Sequence, residues 1–298
     1  MIRGKIQVNH FTLRSETLLK NNGINQSYIN VANINLYCEY LLNDNPPIFL
    51  IHGFASSTYT FRRLIPLLKK NFSIVAVDLP GFGKSEKSTS FTYSFQNYAR
   101  LMIACIDKFA ISNPFIVGHS MGGQIALYMA AIAPEKIKKL ILLCSSGYLR
   151  RSSRLLIYSS YLPLFESVIT NYIRRKNVKD YLRNVLYNEA LINDELIYEY
   201  GKPLAEKGFY QALIRLLRHR EGDLLSEDLK KINTPTLLIW GKEDRVVPLQ
   251  IGKRLAKDLP NAQLITYEKT GHLITVEKPE HVFKHILFYT SGKNNAMT

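Results

Sequence analysis

A serine between two glycines is the feature of this sequence with the clearest chemical potential. Residues Gly118-His119-Ser120-Met121-Gly122 follow the apolar run 115–117 and precede a helical pattern at 124–131. This order predicts a buried strand, a tight turn and a helix, with the Ser120 hydroxyl exposed at the turn. A serine held in this way is a nucleophile for acyl transfer, and a Cβ at Gly118 or Gly122 would collide with its neighbours. The pattern alone is weak because glycine and serine are common residues, so it needs partners.

A serine nucleophile needs a histidine base and a carboxylate that orients the histidine. His272 lies in a loop after the last predicted strand, and Asp244 lies just beyond the carboxyl end of the strand before it. Glu243 is the competing carboxylate, and we favour Asp244 over it. The sequence therefore predicts Ser120, Asp244 and His272 as the catalytic residues.

Two further histidines could hold a metal. His281 and His285 lie one helical turn apart, but no third ligand accompanies them. A solvated helix face is the better interpretation, and we expect neither a metal nor an organic cofactor.

An oxyanion hole needs backbone N–H groups that point to the site where negative charge develops. One donor is expected from Met121, the residue after the nucleophile. The other is expected from the loop that begins His52-Gly53-Phe54 after the apolar run 48–51, with Phe54 as the donor. An ordinary turn at a strand end would also explain His52-Gly53 taken alone.

One motif imitates a phosphate-binding loop. Gly81-Phe82-Gly83-Lys84-Ser85 resembles the end of the nucleotide motif, which needs a further glycine five residues before Gly83. That position is Asp78. The segment is therefore predicted to be a turn between a strand and the helix near Ser94.

The hydrophobic pattern predicts an α/β fold. Two alternating segments, 28–31 and 34–40, are separated by Ala32-Asn33 and indicate an antiparallel hairpin. Continuous apolar runs then alternate with helical patterns, which is typical of a mostly parallel, doubly wound sheet covered on both faces. The runs are 48–51, 73–77, 115–117, 140–143, 236–240 and 263–267.

The alternation is interrupted by a long helical region. Residues 148–222 show no strand pattern, which predicts a helical cap inserted over the carboxyl edge of the sheet, where ligands bind in open α/β sheets. The core is expected at 26–147 and 223–290, with the last helix at about 279–289. Residues 1–25 form an extension of uncertain structure, and residues 291–298 are predicted to be a disordered tail.

Composition is that of a soluble globular protein. Hydrophobic residues make up 46% and charged residues 21% of the 298 residues, and no apolar run is long enough to span a membrane. The first residues lack the apolar segment of a signal peptide. Three cysteines are an odd number, which favours buried thiols in a reducing compartment. These features together predict a cytoplasmic protein.

The formal net charge of +15 is high. No nucleic-acid-binding motif accompanies it, so we expect no nucleic-acid partner. Between residues 150 and 183, eight basic residues flank an apolar segment and only Glu166 and Asp180 oppose them. This arrangement suits weak peripheral contact with an anionic membrane. The simpler interpretation, which we favour at this point, is that the apolar residues pack the cap onto the sheet and line an acyl pocket.

Taken together, these motifs resemble the bacterial α/β-hydrolase-fold serine hydrolases of the esterase and monoacylglycerol-lipase type, with a helical cap. The resemblance spans about residues 28–289 and implies Ser120, Asp244 and His272 as the triad, with Phe54 and Met121 at the oxyanion hole. It implies a small-molecule ester substrate, a lipophilic acyl ester being favoured, and no cofactor. Similar proteins that hydrolyse epoxides or haloalkanes place Asp at the elbow, so Ser120 argues against both activities.

Two alternatives retain the same residues. The first is a carbon–carbon bond hydrolase of a dienoic ketone. The second is a small-ligand receptor or partner-binding protein that keeps the triad. The sequence gives no indication of the oligomeric state.

Overall fold

An eight-stranded sheet organises residues 23–292, the part of the chain that the computed structural model describes. The strand order is β1-β2-β4-β3-β5-β6-β7-β8. The pairs β1–β2 and β2–β4 are antiparallel, and the other neighbouring strands are parallel. The predicted fold class is therefore confirmed. The strands are β1 Asn25–Val31, β2 Ile34–Leu41, β3 Pro47–Ile51, β4 Ser73–Val77, β5 Phe115–His119, β6 Lys139–Leu143, β7 Thr236–Gly241 and β8 Ala262–Tyr267.

The amino-terminal hairpin forms as expected. Ala32 and Asn33 have φ values of 49° and 64°, and Val31 pairs with Ile34 across the turn, as in the two-residue turns that match the twist of a hairpin. The first strand begins at Asn25, the last residue that the sequence assigned to the extension. The remainder of that extension, residues 1–22, and residues 293–298 of the predicted tail lie outside the described residues.

The central strands are buried on both faces, which explains their continuous apolar runs. Every residue of β4, β5 and β7 is buried. Helix α2 packs against α3, and α10 packs against β7 and β8. The helices are α1 Ile65–Leu68, α2 Phe95–Lys108, α3 Met121–Ile132, α4 Arg154–Ser159, α5 Phe165–Arg174, α6 Val178–Val185, α7 Asp194–Gly201, α8 Lys207–His219, α9 Ser226–Leu229, α10 Leu249–Asp258, α11 Ile274–Glu277 and α12 Pro279–Thr290.

None of the described helices combines the length and the apolar character that a membrane crossing requires. Cys38, Cys105 and Cys144 are buried and form no disulfide.

Helices α4 to α9 lie between β6 and β7, where the chain forms no strand. Hydrogen bonds hold the two ends of this segment together. The Asp223 N–H donates to the Leu149 carbonyl at 2.9 Å, and the Leu149 N–H donates to Asp223 Oδ2 at 3.1 Å. Asp223 is 6% exposed, and burial raises the pKa of its carboxyl to about 6.

Candidate active site

Ser120 stands between the last residue of β5 and the first residue of α3. Its φ of 53° and ψ of −118° place a non-glycine residue in a strained region of backbone space. Two hydrogen bonds to the segment at and after β6 hold it there. The Ser120 N–H donates to the Leu143 carbonyl at 3.0 Å, and the Ser120 carbonyl accepts from the Ser146 N–H at 3.0 Å. The predicted turn with a serine at its tip is therefore present.

The two glycines beside Ser120 are required by close approach of the backbone. A Cβ on Gly118 would lie 2.5 Å from the Gly122 carbonyl oxygen, far inside van der Waals contact. A Cβ on Gly122 would overlap the carbonyl oxygen of Ile51 and lie 2.5 Å from that of His52. The start of α3 is consequently packed directly against the end of β3.

Asp244 and His272 form a buried pair. His272 Nδ1 lies 2.7 Å from Asp244 Oδ2, and the side chains are 5% and 0% exposed. The other carboxylate oxygen, Oδ1, accepts from the N–H groups of Val246 and Val247 at 2.8 Å each. The loop after β7 thus fixes the carboxylate, and the carboxylate fixes the ring of His272 with Nε2 left for another partner.

The competing carboxylate, Glu243, has a different contact. Its Oε2 accepts from the backbone N–H of Thr270 at 2.9 Å, and its own N–H donates to the Thr270 carbonyl at 3.1 Å. Glu243 therefore supports the backbone of the loop that carries His272, whereas Asp244 contacts the imidazole.

His119 connects the loop that carries His272 (the histidine loop) to the turn that carries Ser120 (the serine turn). Its Nε2 lies 2.9 Å from the carbonyl oxygen of His272, and the two imidazole centroids are 4.9 Å apart. A carbonyl oxygen only accepts, so Nε2 carries the proton and Nδ1 does not. Burial, followed by the nearby His272, lowers the pKa of His119 to about 3. The residue next to Ser120 is thus a neutral donor to the backbone of His272.

Phe54 and Met121, the two expected oxyanion donors, both lie beside the serine. Met121 is the first residue of α3, where a backbone N–H has no partner within the helix. A Cβ on Gly53, the neighbour of Phe54, would lie 3.0 Å from the Cβ of Ser120. The Phe54 side chain is 49% exposed, and its ring packs on Phe82 at 5.8 Å between centroids.

His52 is a second buried histidine that shapes this loop. Its Nδ1 donates to the Gly53 carbonyl at 2.7 Å, and its Nε2 accepts from the Leu79 N–H at 2.9 Å. Both ring nitrogens are used only when the ring is neutral, and burial lowers the pKa of His52 to about 4. His52 therefore joins the loop after β3 to the loop after β4.

The segment that imitates a phosphate loop is organised around Asp78. Its carboxylate accepts from the N–H groups of Thr58 at 2.6 Å and Lys84 at 2.7 Å. A Cβ on Gly83 would overlap this carboxylate. Burial raises the pKa of Asp78 despite these two backbone donors. The segment is thus a turn, as the sequence indicated, and it is folded onto a buried carboxylate.

A polar cavity of about 590 Å³ lies between this turn and the cap. Its wall includes Asp78, Lys84, Arg62 and Tyr200 but none of the predicted catalytic residues. Two polar atoms of the wall, Arg62 Nη1 and the Tyr200 hydroxyl oxygen, are buried without a hydrogen-bond partner among the described residues.

Hydrogen bonds join the histidine loop to the cap. The N–H groups of His272 and Leu273 donate to the Val185 carbonyl at 2.8 and 3.1 Å. Leu273 and Val276 also join a small apolar cluster with the cap residues Leu182, Val185, Leu186, Leu196 and Tyr200.

A single carboxylate reinforces the same junction. Glu277 Oε2 accepts from the Gly271 N–H at 2.6 Å, and Oε1 accepts from the N–H groups of Tyr187 at 3.0 Å and Asn188 at 2.9 Å. Burial raises the pKa of Glu277, and the three backbone donors act against that shift. Sequence reasoning missed Glu277, His52 and His119 as contributors to the site, because nothing in their spacing indicates which distant backbone groups they reach.

One group of three potential metal ligands occurs among residues 23–292. Ligand atoms of Cys144, Asp244 and His272 lie within 4.8 Å of one another. Burial and the nearby Asp244 raise the pKa of the Cys144 thiol well above its usual value, whereas metal binding requires a thiolate. The Asp244–His272 hydrogen bond already occupies two of the three groups. The donor set fits an acid–histidine pair better than a metal site.

The two other candidate metal ligands lie on the last helix. His281 and His285 are on α12, and both pack against the Tyr267 ring, at 5.7 and 5.8 Å between centroids. His281 is exposed and His285 is half-buried.

Comparison with known proteins agrees with this geometry. Residues 46–279 match the profile of the α/β hydrolase fold. The chain is 46% identical over 257 residues to the uncharacterized hydrolase YugF of Bacillus subtilis (strain 168), covering 86% of this chain and 94% of that protein. It is 26% identical over 263 residues to the human monoacylglycerol lipase ABHD6, covering 84% of this chain and 77% of that lipase.

A solved structure shows the same fold. A meta-cleavage product hydrolase from Pseudomonas fluorescens IP01 superposes with a TM-score of 0.75 at 24% identity, covering 90% of this chain and 98% of that protein. The chain therefore belongs to the α/β hydrolase-fold family and is a hydrolase.

Proposed function

We propose that this hydrolase cleaves a carboxylic ester through an acyl-enzyme intermediate on Ser120. The observation that carries the proposal is the 2.7 Å contact between His272 Nδ1 and Asp244 Oδ2. Ser120 lies on a strained turn, and its neighbour His119 contacts His272. A carboxylate that holds Nδ1 orients Nε2 as a base for a serine hydroxyl. Phe54 and Met121 are proposed as the backbone donors to the oxyanion.

The reaction would proceed in two halves. His272 Nε2 takes the hydroxyl proton of Ser120 as the oxygen attacks the ester carbonyl, and the imidazolium then returns the proton to the departing alkoxide. Water attacks the acyl-enzyme, transfers its proton to Nε2, and releases the carboxylic acid with Ser120 restored. In each half, His272 Nε2 takes up one proton and gives it back, so no cofactor is needed.

A lipophilic acyl group is favoured by the aromatic residues beside the serine. The ring of Phe54 packs on Phe82 at 5.8 Å, and Phe82 packs on the cap residue Phe209 at 6.2 Å. Phe82 and Phe209 are buried, whereas Phe54 is 49% exposed and presents an apolar ring that favours the burial of an alkyl chain. The human relative is a monoacylglycerol lipase, and its name agrees with this substrate class. The three buried thiols further support a reducing compartment, and we propose the cytoplasm.

The test combines covalent labelling with turnover. Wild-type protein should gain one phosphonate adduct by intact mass, and Ser120→Ala should gain none. A series of acyl esters from two to sixteen carbons should give the highest kcat/KM at the longer chains. Ser120→Ala should retain only about 10³- to 10⁴-fold catalysis over water.

Three results would contradict the proposal. Equal labelling of Ser120→Ala and wild type would remove Ser120 as the nucleophile. Turnover of a dienoic ketone with no ester turnover would favour carbon–carbon bond hydrolysis. Labelling without turnover of either substrate class would favour a small-ligand receptor.

A further inference from the structure

The outer side of the cap exposes large apolar side chains. Between residues 155 and 172, seven of them are at least 60% exposed and are together called the cap tip: Leu155, Tyr158, Tyr161, Leu162, Leu164, Val168 and Tyr172. Leu155 is 81% exposed and Leu164 is 76% exposed. Side chains this exposed do not pack the cap onto the sheet. Tyr161, Leu162 and Leu164 line a cavity of about 360 Å³, but its other lining residues are mostly polar or charged. The packing onto the sheet that we favoured from the sequence is therefore wrong for these residues.

The cap tip has a regular arrangement along the chain. Val168 and Tyr172 are four residues apart on α5, so their side chains share one face of that helix. Leu164 is the residue just before α5, and its carbonyl accepts from the Val168 N–H. Leu164 has a φ of 70°, a left-handed conformation that is rare for leucine. The turn between α4 and α5 therefore holds an exposed leucine in an unfavourable backbone conformation, which indicates a constraint other than core packing.

Basic residues border the cap tip on both sides along the chain. Arg150, Arg151 and Arg154 precede it, and Arg174, Arg175, Lys176 and Lys179 follow it; all seven are exposed. Two cations contact its aromatic rings. Lys176 Nζ lies 4.6 Å from the centroid of Tyr172, and the Arg218 guanidinium lies 3.9 Å from that of Tyr161. Apolar and cationic groups consequently share one surface.

We propose that the cap tip docks on the surface of an anionic lipid membrane. Apolar side chains enter the boundary between head groups and acyl chains, while arginine and lysine contact the anionic head groups. A second copy of the chain fits this surface less well. A symmetric dimer would place the two basic borders against each other, and like charges oppose association. This inference goes beyond ester hydrolysis and does not depend on the role of Ser120.

Vesicle co-sedimentation of the full chain tests the proposal. The vesicles are phosphatidylcholine alone, or phosphatidylcholine with 30% phosphatidylglycerol, at 50 mM and 500 mM NaCl. Wild-type protein should bind the anionic vesicles at 50 mM NaCl, and the binding should fall strongly at 500 mM because salt screens the charges.

Two triple variants separate the two contributions. The variant Leu155→Ser/Leu162→Ser/Val168→Ser tests the apolar contribution, because it replaces three apolar side chains of the cap tip with polar ones. Arg154→Gln/Arg175→Gln/Lys179→Gln should weaken partitioning about 100-fold, from roughly fivefold for each basic residue near an anionic surface. Matched controls with exposed residues elsewhere are Leu42→Ser/Ile132→Ser/Leu225→Ser and Lys70→Gln/Lys230→Gln/Lys253→Gln, and these should bind like wild type. Thermal unfolding of every variant establishes that it is folded.

Three outcomes would overturn the proposal. The first is negligible binding of wild type to both kinds of vesicle at 50 mM NaCl. The second is equal loss of binding in the cap-tip variants and their controls. The third is a dimer in vesicle-free sedimentation velocity that the apolar cap-tip variant abolishes, which would assign the surface to a second copy of the chain.

Discussion

The backbone N–H of His272 donates to the carbonyl oxygen of Val185 at 2.8 Å, so the loop that carries the proposed base is bonded directly to the cap. Val185 is the last residue of α6 and is fully buried. The cap therefore contributes to the position of His272. Glu277 strengthens the junction because its carboxylate accepts hydrogen bonds from N–H groups of both the histidine loop and the cap.

Glu277→Gln should loosen this junction. An amide presents one oxygen and one NH₂ group, so it cannot accept from all three backbone donors as the carboxylate does. Leaving a buried N–H without a partner costs about 1–3 kcal/mol, and we expect a comparable loss in the free energy of unfolding.

Because Glu277 is a positioning residue, the test needs kinetics as well as stability. We expect kcat to fall at least tenfold with little change in KM for a short ester. The matched control is Glu280→Gln, in an exposed position three residues further on, which should behave as wild type. Loss of stability with unchanged kcat would show that Glu277 has only a structural role.

Asp244→Asn should cost far more activity than Glu243→Gln. The amide oxygen would accept from the Val246 and Val247 N–H groups, so the NH₂ group would face His272 Nδ1. The imidazole proton then lies on Nε2, which cannot act as a base, and the corresponding change in a serine triad lowers kcat by about 10⁴. The Glu243 carboxylate accepts from a backbone N–H of the loop that carries His272 and not from the imidazole, so its variant should retain most of the rate. Steady-state kinetics on a short ester measures both, and a reversed order would mean that Glu243 is the orienting acid.

His52 should make the folded state sensitive to acid. Its pKa is lowered from 6.5 to about 4 in the folded protein. Between these values the unfolded chain takes up a proton at this residue and the folded chain does not. The contribution of His52 to the free energy of unfolding is therefore fully present above pH 6.5 and is lost as the pH drops towards 4. The shift corresponds to about 3 kcal/mol.

Urea unfolding from pH 7 to pH 4 measures this contribution. His52→Gln should lose less stability over that range than wild type, whereas His281→Gln, an exposed control, should follow wild type. NMR titration of His52 in the native protein gives an independent reading that does not require a folded variant. A midpoint near 6.5 would contradict the prediction.

The sequence predicted the central features of the site because the fold brings strand ends together. Ser120, Asp244 and His272 follow β5, β7 and β8, and the carboxyl ends of parallel strands share one edge of the sheet. The contacts of Glu277 could not be predicted in this way. Tyr187 is 90 positions away along the chain, and local periodicity carries no information on which cap turn meets which core loop.

Burial of polar residues was also beyond the sequence pattern. Asp223 stands beside a glycine and near a basic run, a context that reads as solvated surface, yet tertiary contact with Leu149 buries it. The exposure of the cap tip illustrates the reverse case. An apolar stripe on a helix predicts burial, and only the three-dimensional structure shows that no other part of residues 23–292 covers it.

The paired hydrogen bonds between Leu149 and Asp223 hold the two ends of the cap close together, so the cap is suited to replacement as a unit. The polypeptide leaves the core and returns to it at adjacent positions, so the 73 residues between them can vary in length without changing the spacing of β6 and β7. Insertions are tolerated best where their ends lie close together. Caps from other hydrolases could be joined at these two positions, and the chemistry of the core could thereby be presented with a different entrance.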